Sequence, residues 1–256
     1  MRIDIATLFP DVCEAYLSTS IVGRARAKGG FELHCHQIRD WAFDKHKRVD
    51  DTPYSERQGM LMMAEPIYQC YKSVAGERKP HVIYMSPKGK TLTQQRAREL
   101  SEMSDIFILC GHYEGVDQRV LDKIVDEEIS IGDYVLTGGE LPAMVLVDCV
   151  VRMLDGTLSQ PDCYEDESHY NGLLEYPQYT RPEVWEGERV PEILLSGHHA
   201  NIMLWRREKM LEETYLKRPE MLEKRELSLD EQSILSAIKA RYEDFPEFMA
   251  NQEKNK

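Results

Sequence analysis

The sequence has no apolar run long enough to span a membrane, and its N-terminus lacks the basic-then-apolar pattern of a secretion signal. Its six cysteines show no paired spacing, which argues against a disulfide framework and suits a reducing cytoplasm. The P-loop lysine pattern, the G-x-G-x-x-G dinucleotide motif and a local nucleophile motif of the G-x-S-x-G kind are also missing. We therefore expect a cytoplasmic protein that uses none of these chemistries.

Basic residues are in the minority, with 32 Lys and Arg against 45 Asp and Glu and a formal net charge of −13. This balance argues mildly against a nucleic-acid partner, because phosphate contacts need cations. Four local basic clusters nevertheless leave room for a polyanion, and binding to them would be sensitive to salt. The clusters are residues 24–28, 45–48, 206–209 and 217–218.

The 256 residues alternate between strand and helix patterns in the first part of the chain, which predicts the α/β class. Predicted strands cover residues 3–9, 31–38, 81–85, 106–109 and 128–131, and a long loop covers residues 39–59. Residues 1–154 are therefore predicted to form an α/β domain. Residues 155–181, rich in Asp, Glu, Ser, Tyr and Pro, are predicted as a linker, and residues 182–256 as a small helical domain without strands.

Glycines follow three short apolar runs between residues 106 and 142. Gly111 follows the predicted strand at 106–109, Gly132 follows the one at 128–131, and Gly138-Gly139 follow Tyr134 to Leu136. Glycines after strands let the backbone approach a ligand, and ligands of parallel α/β sheets lie at the carboxyl ends of strands. Together with residues 84–87, these runs predict a cradle made largely of main chain, which suits an adenosine-like ligand.

The helix predicted from Glu140 to Leu154 is the most apolar in the chain, yet it carries Asp148 and Arg152 four residues apart on one face. Buried charge is costly, so these side chains form an ion pair or Arg152 points into a site. Carboxylates in the following loop and this arginine suggest proton abstraction with charge stabilisation. The residues taken alone support no more specific reaction.

Seven motifs give the chain a strong resemblance to a known family. It resembles the bacterial tRNA (guanine-37-N1)-methyltransferases of the SPOUT class, whose motifs occur here in the same order. The motifs are Ile5-Ala-Thr-Leu-Phe-Pro10, Val49-Asp-Asp-Thr-Pro-Tyr54, Tyr84-Met-Ser-Pro87, Cys110-Gly-His-Tyr-Glu-Gly115, Ser130-Ile-Gly-Asp-Tyr-Val-Leu-Thr-Gly-Gly-Glu-Leu-Pro142, Gly172-Leu-Leu-Glu-Tyr-Pro-Gln-Tyr-Thr-Arg-Pro182 and Leu194-Leu-Ser-Gly-His-His-Ala200.

The resemblance implies a SPOUT-type parallel sheet with a deep trefoil knot, a rare exception to the rule against threaded chains. It also implies a homodimer with a shared active site and S-adenosylmethionine bound in the knot. The residues that would bind this methyl donor are Tyr84, Met85, Ser86, Pro87, Gly111, Tyr113, Glu114, Gly115, Ser130, Ile131, Gly132, Asp133, Tyr134, Val135, Leu136, Gly138, Gly139 and Pro142.

The implied reaction needs a base, because guanine N1 carries a proton at neutral pH and is a poor nucleophile. A carboxylate must remove that proton while a cation stabilises the charge that builds on O6. Arg152 matches the family's arginine. The family's base is an aspartate five residues before Gly-Leu-Leu, and this chain has Glu167 there, preceded by Asp166. We expect Glu167 to be the base, with Asp166 as the alternative.

The implied substrate is a tRNA with guanine at positions 36 and 37, in an anticodon loop that can present the base without melting a duplex. Residues that would contact it are Gly59, Arg181, His198, Arg206, Arg207 and Lys209. The family's glycine run after Pro53-Tyr54 is replaced by Ser55-Glu56-Arg57-Gln58, which predicts a change in tRNA placement or loop mobility.

No metal site is predicted, since strand alternation would place the side chains of His34-Cys35-His36 on two faces. A divalent ion such as Mg²⁺ would act through the RNA or the carboxylates. Two other functions stay open. One is a SPOUT methyltransferase of another RNA position, and the other is an inactive relative that binds RNA or a nucleotide.

Overall fold

The computed structural model describes residues 1–54, 59–158, 164 and 166–243. The Ser55–Gln58 replacement and the last part of the predicted helical domain lie outside these residues. The contacts divide the chain into two compact units, Met1–Pro161 and Asp162–Lys256. No helix among the described residues is both long enough and apolar enough to cross a bilayer.

The first unit is an α/β layer structure whose elements alternate along the chain. Its strands are β1 (Arg2–Thr7), β2 (Glu32–Gln37), β3 (Asp50–Asp51), β4 (Leu61–Met62), β5 (His81–Thr91), β6 (Asp105–Cys110) and β7 (Glu127–Ser130). Its helices are α1 (Pro10–Leu17), α2 (Ser20–Ala27), α3 (Ala64–Ala75), α4 (Gln94–Ser101), α5 (Gln118–Ile124) and α6 (Glu140–Val151), with a 3-10 turn at Ile38–Trp41.

Five of these strands form one sheet in the order β2-β1-β6-β5-β7, and every neighbouring pair is parallel. The predicted α/β class is confirmed. Strands of a parallel sheet are covered on both faces and therefore have nearly continuous apolar sequences, as in Ile106-Phe-Ile-Leu109. Helices α1, α2, α4 and α6 cover one face, and α3 and α5 cover the other.

Asp4 is a fully buried carboxylate in β1, an interior strand of the sheet. It accepts hydrogen bonds from Arg2 Nε at 2.8 Å, Arg78 at 3.1 Å and His36 Nε2 at 2.7 Å. Burial by itself would raise the pKa of Asp4, but the hydrogen bonds from His36, Arg2 and Arg78 outweigh it and hold the pKa well below its usual range. The network joins β1, β2 and the segment after α3.

Two predictions for the first unit were wrong. The strand predicted at residues 81–85 resumes after an irregularity and continues to Thr91. The region predicted as a long loop, residues 39–59, contains β3, which pairs with β4 in an antiparallel ladder before α3 begins at Ala64. The apolar run Tyr134 to Leu136 belongs to no strand, and its side chains are exposed.

The second unit is mainly helical. Its elements are β8 (Val184–Trp185), β9 (Glu188–Arg189), α7 (Glu192–Leu195), α8 (His199–Lys217), α9 (Glu220–Glu223) and α10 (Leu229–Glu243). Its core contains Leu173, Met210, Leu211 and Ile238. Because Leu173 is fully buried there, part of the predicted linker contributes to this core.

The expectation of no strand in the second part of the chain was wrong. β8 and β9 form a two-residue antiparallel ladder joined by Glu186 and Gly187, which both have positive φ angles of 48° and 89°. A two-residue type I′ turn, whose twist matches that of the two strands it joins, requires positive φ at both of its central residues. A Glu-Gly pair is a weaker sign of this turn than Asn-Gly or Asp-Gly, so the sequence pattern gave little indication of it.

Candidate active site

The carboxyl ends of β5, β6 and β7 surround a cavity of about 290 Å³, which we call the strand-end cavity. Of the 18 residues predicted to bind a methyl donor, 17 line it, and only the exposed Asp133 does not. The lining predicted residues are Tyr84, Met85, Ser86, Pro87, Gly111, Tyr113, Glu114, Gly115, Ser130, Ile131, Gly132, Tyr134, Val135, Leu136, Gly138, Gly139 and Pro142. Their convergence is a structural fact, whereas their role in binding stays a prediction.

One wall of the cavity comes from an excursion of β5. Met85 and Lys90 both pair with Ile129 of β7, so the four residues between them leave the ladder. This excursion carries Ser86, Pro87 and Lys88 into the cavity wall. Irregularities of this kind often occur beside active sites, where they change the direction of side chains. Because residues 86–89 lie outside the sheet, the apolar strand pattern stops at Met85 although the strand resumes at Lys90.

The loop before α6 passes very close to the end of β6. Gly139 donates a backbone hydrogen bond to the Gly111 carbonyl at 2.9 Å, and His112 and Gly138 form an antiparallel bridge. A Cβ on Gly139 would lie 2.7 Å from Cys110 Cα and 3.0 Å from the Gly111 nitrogen. Only glycine allows these two backbone segments to approach this closely.

Gly139→Ala is expected to lower the free energy of unfolding by about 1 to 3 kcal/mol, because the added methyl group meets backbone atoms that cannot rotate away. Thermal unfolding of the purified variant measures the effect. Gly30→Ala is a suitable control, since its Cβ would come no closer than 3.2 Å to another atom. Equal unfolding midpoints for the two variants would contradict the steric argument.

A buried polar network stands behind the cavity wall. His112 Nε2 lies 2.8 Å and 2.7 Å from the two carboxylate oxygens of Glu140, and the Thr7 hydroxyl donates to Glu140 at 2.5 Å. Glu140 is 7% exposed at the start of α6, so its carboxylate requires such partners. The network links the end of β1, the loop after β6 and the start of α6.

Tyr84 provides a phenol on the cavity floor. Burial, and after it the negative charge of Glu128, raises the pKa of Tyr84 to about 12. The hydroxyl therefore keeps its proton at neutral pH and can donate a hydrogen bond. It lies 2.7 Å from the position that a Cβ on Gly111 would take, so a larger residue at 111 would have to displace the Tyr84 side chain.

Charged and aromatic groups lie at the rim. Tyr113 adopts a left-handed conformation with φ of 58°, which is uncommon for a bulky residue and typical of functional sites. The Arg39 guanidinium lies 3.4 Å from the Tyr113 hydroxyl. The predicted substrate residue Gly59 packs against Glu114, since a Cβ on Gly59 would lie 2.6 Å from Glu114 Cγ.

The predicted catalytic residues fall in both units. Arg152 is half-buried at the C-terminal cap of α6 in the first unit. Asp166 and Glu167 are half-buried in the second unit, where the Glu167 backbone donates to the Tyr164 carbonyl at 3.2 Å. Asp148, considered above as an ion-pair partner of Arg152, accepts a hydrogen bond from the Tyr16 hydroxyl at 2.9 Å.

Most of the predicted substrate residues lie in the second unit. Arg181 and His198 are exposed, and His198 precedes the first residue of α8 without a side-chain hydrogen bond to the helix. Arg207 is paired with the buried Glu231, and Lys209 Nζ lies 2.5 Å from the buried Glu212.

Arg206 lies over the ring of Tyr176 at 4.8 Å from the centroid, and the Trp205 ring packs on Tyr176 edge-on at 6.4 Å. An arginine on an aromatic face is a surface that suits a nucleobase or a phosphate.

Several residues of the cavity were missed by sequence reasoning. They are Leu61, Lys88, His112, Val116, Gln118, Leu121, Glu128, Ile129 and Thr137. The strand alternation of β7 offered a signal for Glu128, since it shares a face with Ser130. No periodicity links His112 to Glu140, which are brought together only by the tertiary fold.

The part of the chain that the structure describes contains no group of three His, Cys, Asp or Glu side chains that could hold a metal ion. Cys13, Cys35, Cys70, Cys110 and Cys149 are free thiols.

Comparison with known proteins gives consistent results. The model of the family described as tRNA (Guanine-1)-methyltransferase TrmD matches residues 1–224. A protein of Ruminiclostridium cellulolyticum named tRNA (guanine-N(1)-)-methyltransferase is 54% identical over 226 residues, which cover 88% of this chain and 97% of that protein. Proteins with the same name from Alkaliphilus oremlandii (50% identical, covering 94% of this chain and 100% of that protein) and Caldanaerobacter subterraneus (53%, covering 92% and 97%) are similar.

Proposed function

Because the chain belongs to the tRNA (guanine-1)-methyltransferase family, we propose that it transfers a methyl group from S-adenosylmethionine to N1 of guanine 37 in tRNA. The observation that carries the proposal is the strand-end cavity, in which 17 of the 18 residues expected at the methyl donor converge. When bound, S-adenosylmethionine supplies an electrophilic methyl group on a sulfonium.

The lining of the cavity fits this donor. Main-chain groups next to Gly111, Gly132 and Gly139 offer hydrogen bonds without side-chain bulk, and Leu136 and Ile131 offer apolar walls. A Cβ at Gly139 would meet the backbone of Cys110 and Gly111, and a Cβ at Gly111 would meet the Tyr84 side chain, so both glycines keep this part of the cavity wall tightly packed.

The proposed chemistry assigns a separate role to each charged residue. Glu167 removes the N1 proton of guanine, and the N1 lone pair then takes the methyl group, so that the sulfonium leaves as a neutral thioether. Arg152 stabilises the negative charge that develops on O6. Asp166 is the alternative base. Mg²⁺ would act through the RNA or these carboxylates.

The second unit would bind the tRNA backbone through Arg206, Arg207 and Lys209, and Arg181 and His198 would help to order the linker. The Arg206–Tyr176 stack supports a nucleic-acid role. Arg207 and Lys209 hold buried glutamates, and their remaining N–H groups would contact phosphate. Gly59 would approach the RNA from the rim of the cavity.

The proposed enzyme is a cytoplasmic homodimer with a shared active site. Helices α1 and α6 pack together, and the apolar side chains of Val12, Tyr16, Leu141 and Val145 on them are about half exposed, next to the exposed Phe9. A contiguous apolar patch of this kind is typical of an interface. Sedimentation equilibrium should give twice the 29.8 kDa mass of the chain.

We further propose the deep trefoil knot of the SPOUT class for residues 1–154, followed by the linker at 155–181 and a helical tRNA-binding domain at 182–256. The close passage of Gly138 and Gly139 against Gly111 and His112 supports a threaded chain.

The function is tested by incubating the protein with S-adenosylmethionine and tRNA transcripts at low salt. We expect methylation of a transcript with guanine at 36 and 37 and none of a transcript with adenine at 37. Methylation at another nucleotide would favour a different SPOUT activity. Absence of product from a folded dimer would favour the inactive relative.

A further inference from the structure

Arg39 lies at the rim of the strand-end cavity, on a turn whose backbone is fixed from both sides. It belongs to the 3-10 turn Ile38–Trp41, which directly follows β2. Ile38 is fully buried. The Gln37 side chain accepts a hydrogen bond from the Arg39 amide at 3.3 Å and donates one to the Leu8 carbonyl at 3.0 Å. The position of Arg39 is therefore set before any ligand binds.

The guanidinium of Arg39 has no carboxylate partner among the described residues. Its one side-chain hydrogen bond to them runs from Nη2 to the Tyr113 hydroxyl at 3.4 Å. Withdrawing a guanidinium from water is costly, so a half-buried arginine usually has an anionic partner. Four half-buried arginines of the first unit each bind at least one carboxylate, and they are Arg2, Arg26, Arg78 and Arg96. Arg39 is half-buried without such a partner.

The unbonded N–H groups of Arg39 are open to solvent, so a ligand can reach them. In the described part of the chain, two arginine nitrogens are both buried and without a partner, Arg206 Nε and Arg225 Nε. No nitrogen of Arg39 belongs to this group, although only its Nη2 has a hydrogen bond. Nε and Nη1 of Arg39 are consequently accessible and can donate to an incoming anion.

An anion bound to Arg39 would lie at the mouth of the strand-end cavity. Tyr113, which contacts Arg39, lines the cavity and is 48% exposed, whereas Arg39 is not part of the described lining. A methyl donor in the cavity would contact the lining, and a polynucleotide that brings a base to the mouth would extend past it. Each nucleotide of such a chain carries a phosphate, whose oxygens match guanidinium N–H groups in geometry and charge.

We propose that Arg39 binds a phosphate of the tRNA next to the target guanine and so positions that nucleotide over the strand-end cavity. The inference rests on the proposed function, because it takes tRNA to be the substrate. It assigns Arg39 a role in binding and positioning, and the proton transfer stays with Glu167 or Asp166.

Arg96 provides a matched control at the amino ends of the strands, opposite the cavity. It is also half-buried, but it donates to Glu127, the first residue of β7, and to Glu99. Arg39→Gln and Arg96→Gln thus remove the same charge. Arg96→Gln breaks ion pairs of the free protein, whereas Arg39→Gln breaks none among the described residues.

The test compares wild type, Arg39→Gln, Arg39→Lys and Arg96→Gln in three measurements. Filter binding at several salt concentrations gives the Kd for a tRNA transcript with guanine at 36 and 37. Calorimetry gives the Kd for S-adenosylhomocysteine, and thermal unfolding without ligand gives the midpoint.

We expect Arg39→Gln to raise the Kd for tRNA about tenfold, because one charge-assisted contact is lost. The slope of log Kd against log salt should decrease by about 0.7 to 1, the change expected for one phosphate contact. Arg39→Lys keeps the charge and should keep the slope, with a smaller rise in Kd. Both variants should keep the unfolding midpoint of wild type and its Kd for S-adenosylhomocysteine. Arg96→Gln should lower the midpoint and leave the Kd for tRNA within twofold.

Three results would overturn the inference. The first is a Kd for tRNA within twofold of wild type, or an unchanged salt slope, in Arg39→Gln. The second is a loss of affinity confined to S-adenosylhomocysteine, which would assign Arg39 to the carboxylate of the methyl donor. The third is a fall in the midpoint of Arg39→Gln as large as that of Arg96→Gln, which would show a structural role. Wild type that binds the transcript but does not methylate it would instead contradict the proposed function.

Discussion

Glu167→Gln is expected to lower kcat for methylation of guanine 37 by about 10² to 10⁴-fold, the usual contribution of a positioned general base. The amide has nearly the shape of the carboxylate but cannot take the N1 proton. Calorimetric binding of S-adenosylhomocysteine should stay within twofold of wild type, because Glu167 does not line the strand-end cavity. Single-turnover kinetics with saturating tRNA isolate the chemical step.

Two further variants complete this comparison. Asp166→Asn should keep most of the turnover, and Glu167→Asp should keep measurable turnover because the shorter carboxylate still accepts a proton. Full turnover in Glu167→Ala, or loss confined to Asp166→Asn, would move the role of base away from Glu167. Measurable turnover in Glu167→Asp would also argue against an inactive relative.

Asp4→Asn is expected to lower the free energy of unfolding by about 3 kcal/mol at neutral pH, since it removes the anion of a buried charge network. The value lies at the low end of the range for buried pairs, because the side chains of Arg2 and Arg78 are 33% and 32% exposed and water can solvate them. Asp44→Asn breaks an exposed pair with Arg48 and should leave the unfolding midpoint unchanged.

The difference in the free energy of unfolding between wild type and Asp4→Asn should decrease as the pH falls. The pKa of Asp4 is lowered in the folded state, so the stabilisation is present above the ordinary pKa of 3.8 and is lost as the pH falls below it. Wild type and Asp4→Asn should therefore converge in stability toward acidic pH. Thermal unfolding between pH 7 and pH 3 checks this, and a constant difference across that range would contradict it.

The sequence was informative where one local pattern decides the structure. The apolar runs of β1 and β6 predict buried strands, and the glycines at 111, 132, 138 and 139 predict a close approach of backbone to a ligand. Both follow from the chemistry of the residues themselves.

It was less informative where the outcome depends on tertiary pairing. The excursion of β5 at Ser86–Gly89 follows from its pairing with β7. The short ladder of β3 with β4 packs against the loop after β6, where the Met62 amide of β4 donates a hydrogen bond to the Gly115 carbonyl. His112, Glu140 and Thr7 come from three distant segments and share no period.

The position of β6 has a consequence for synthesis on the ribosome. β1 and β2 pair with each other, β5 pairs with β7, and within the sheet β6 alone joins these two groups. About 70 residues separate the end of β2 from β6, which corresponds to roughly 3 to 14 seconds of translation. During that interval one edge of β1 stays open and apolar, so the nascent chain offers a binding surface for chaperones until Asp105–Cys110 leaves the exit tunnel.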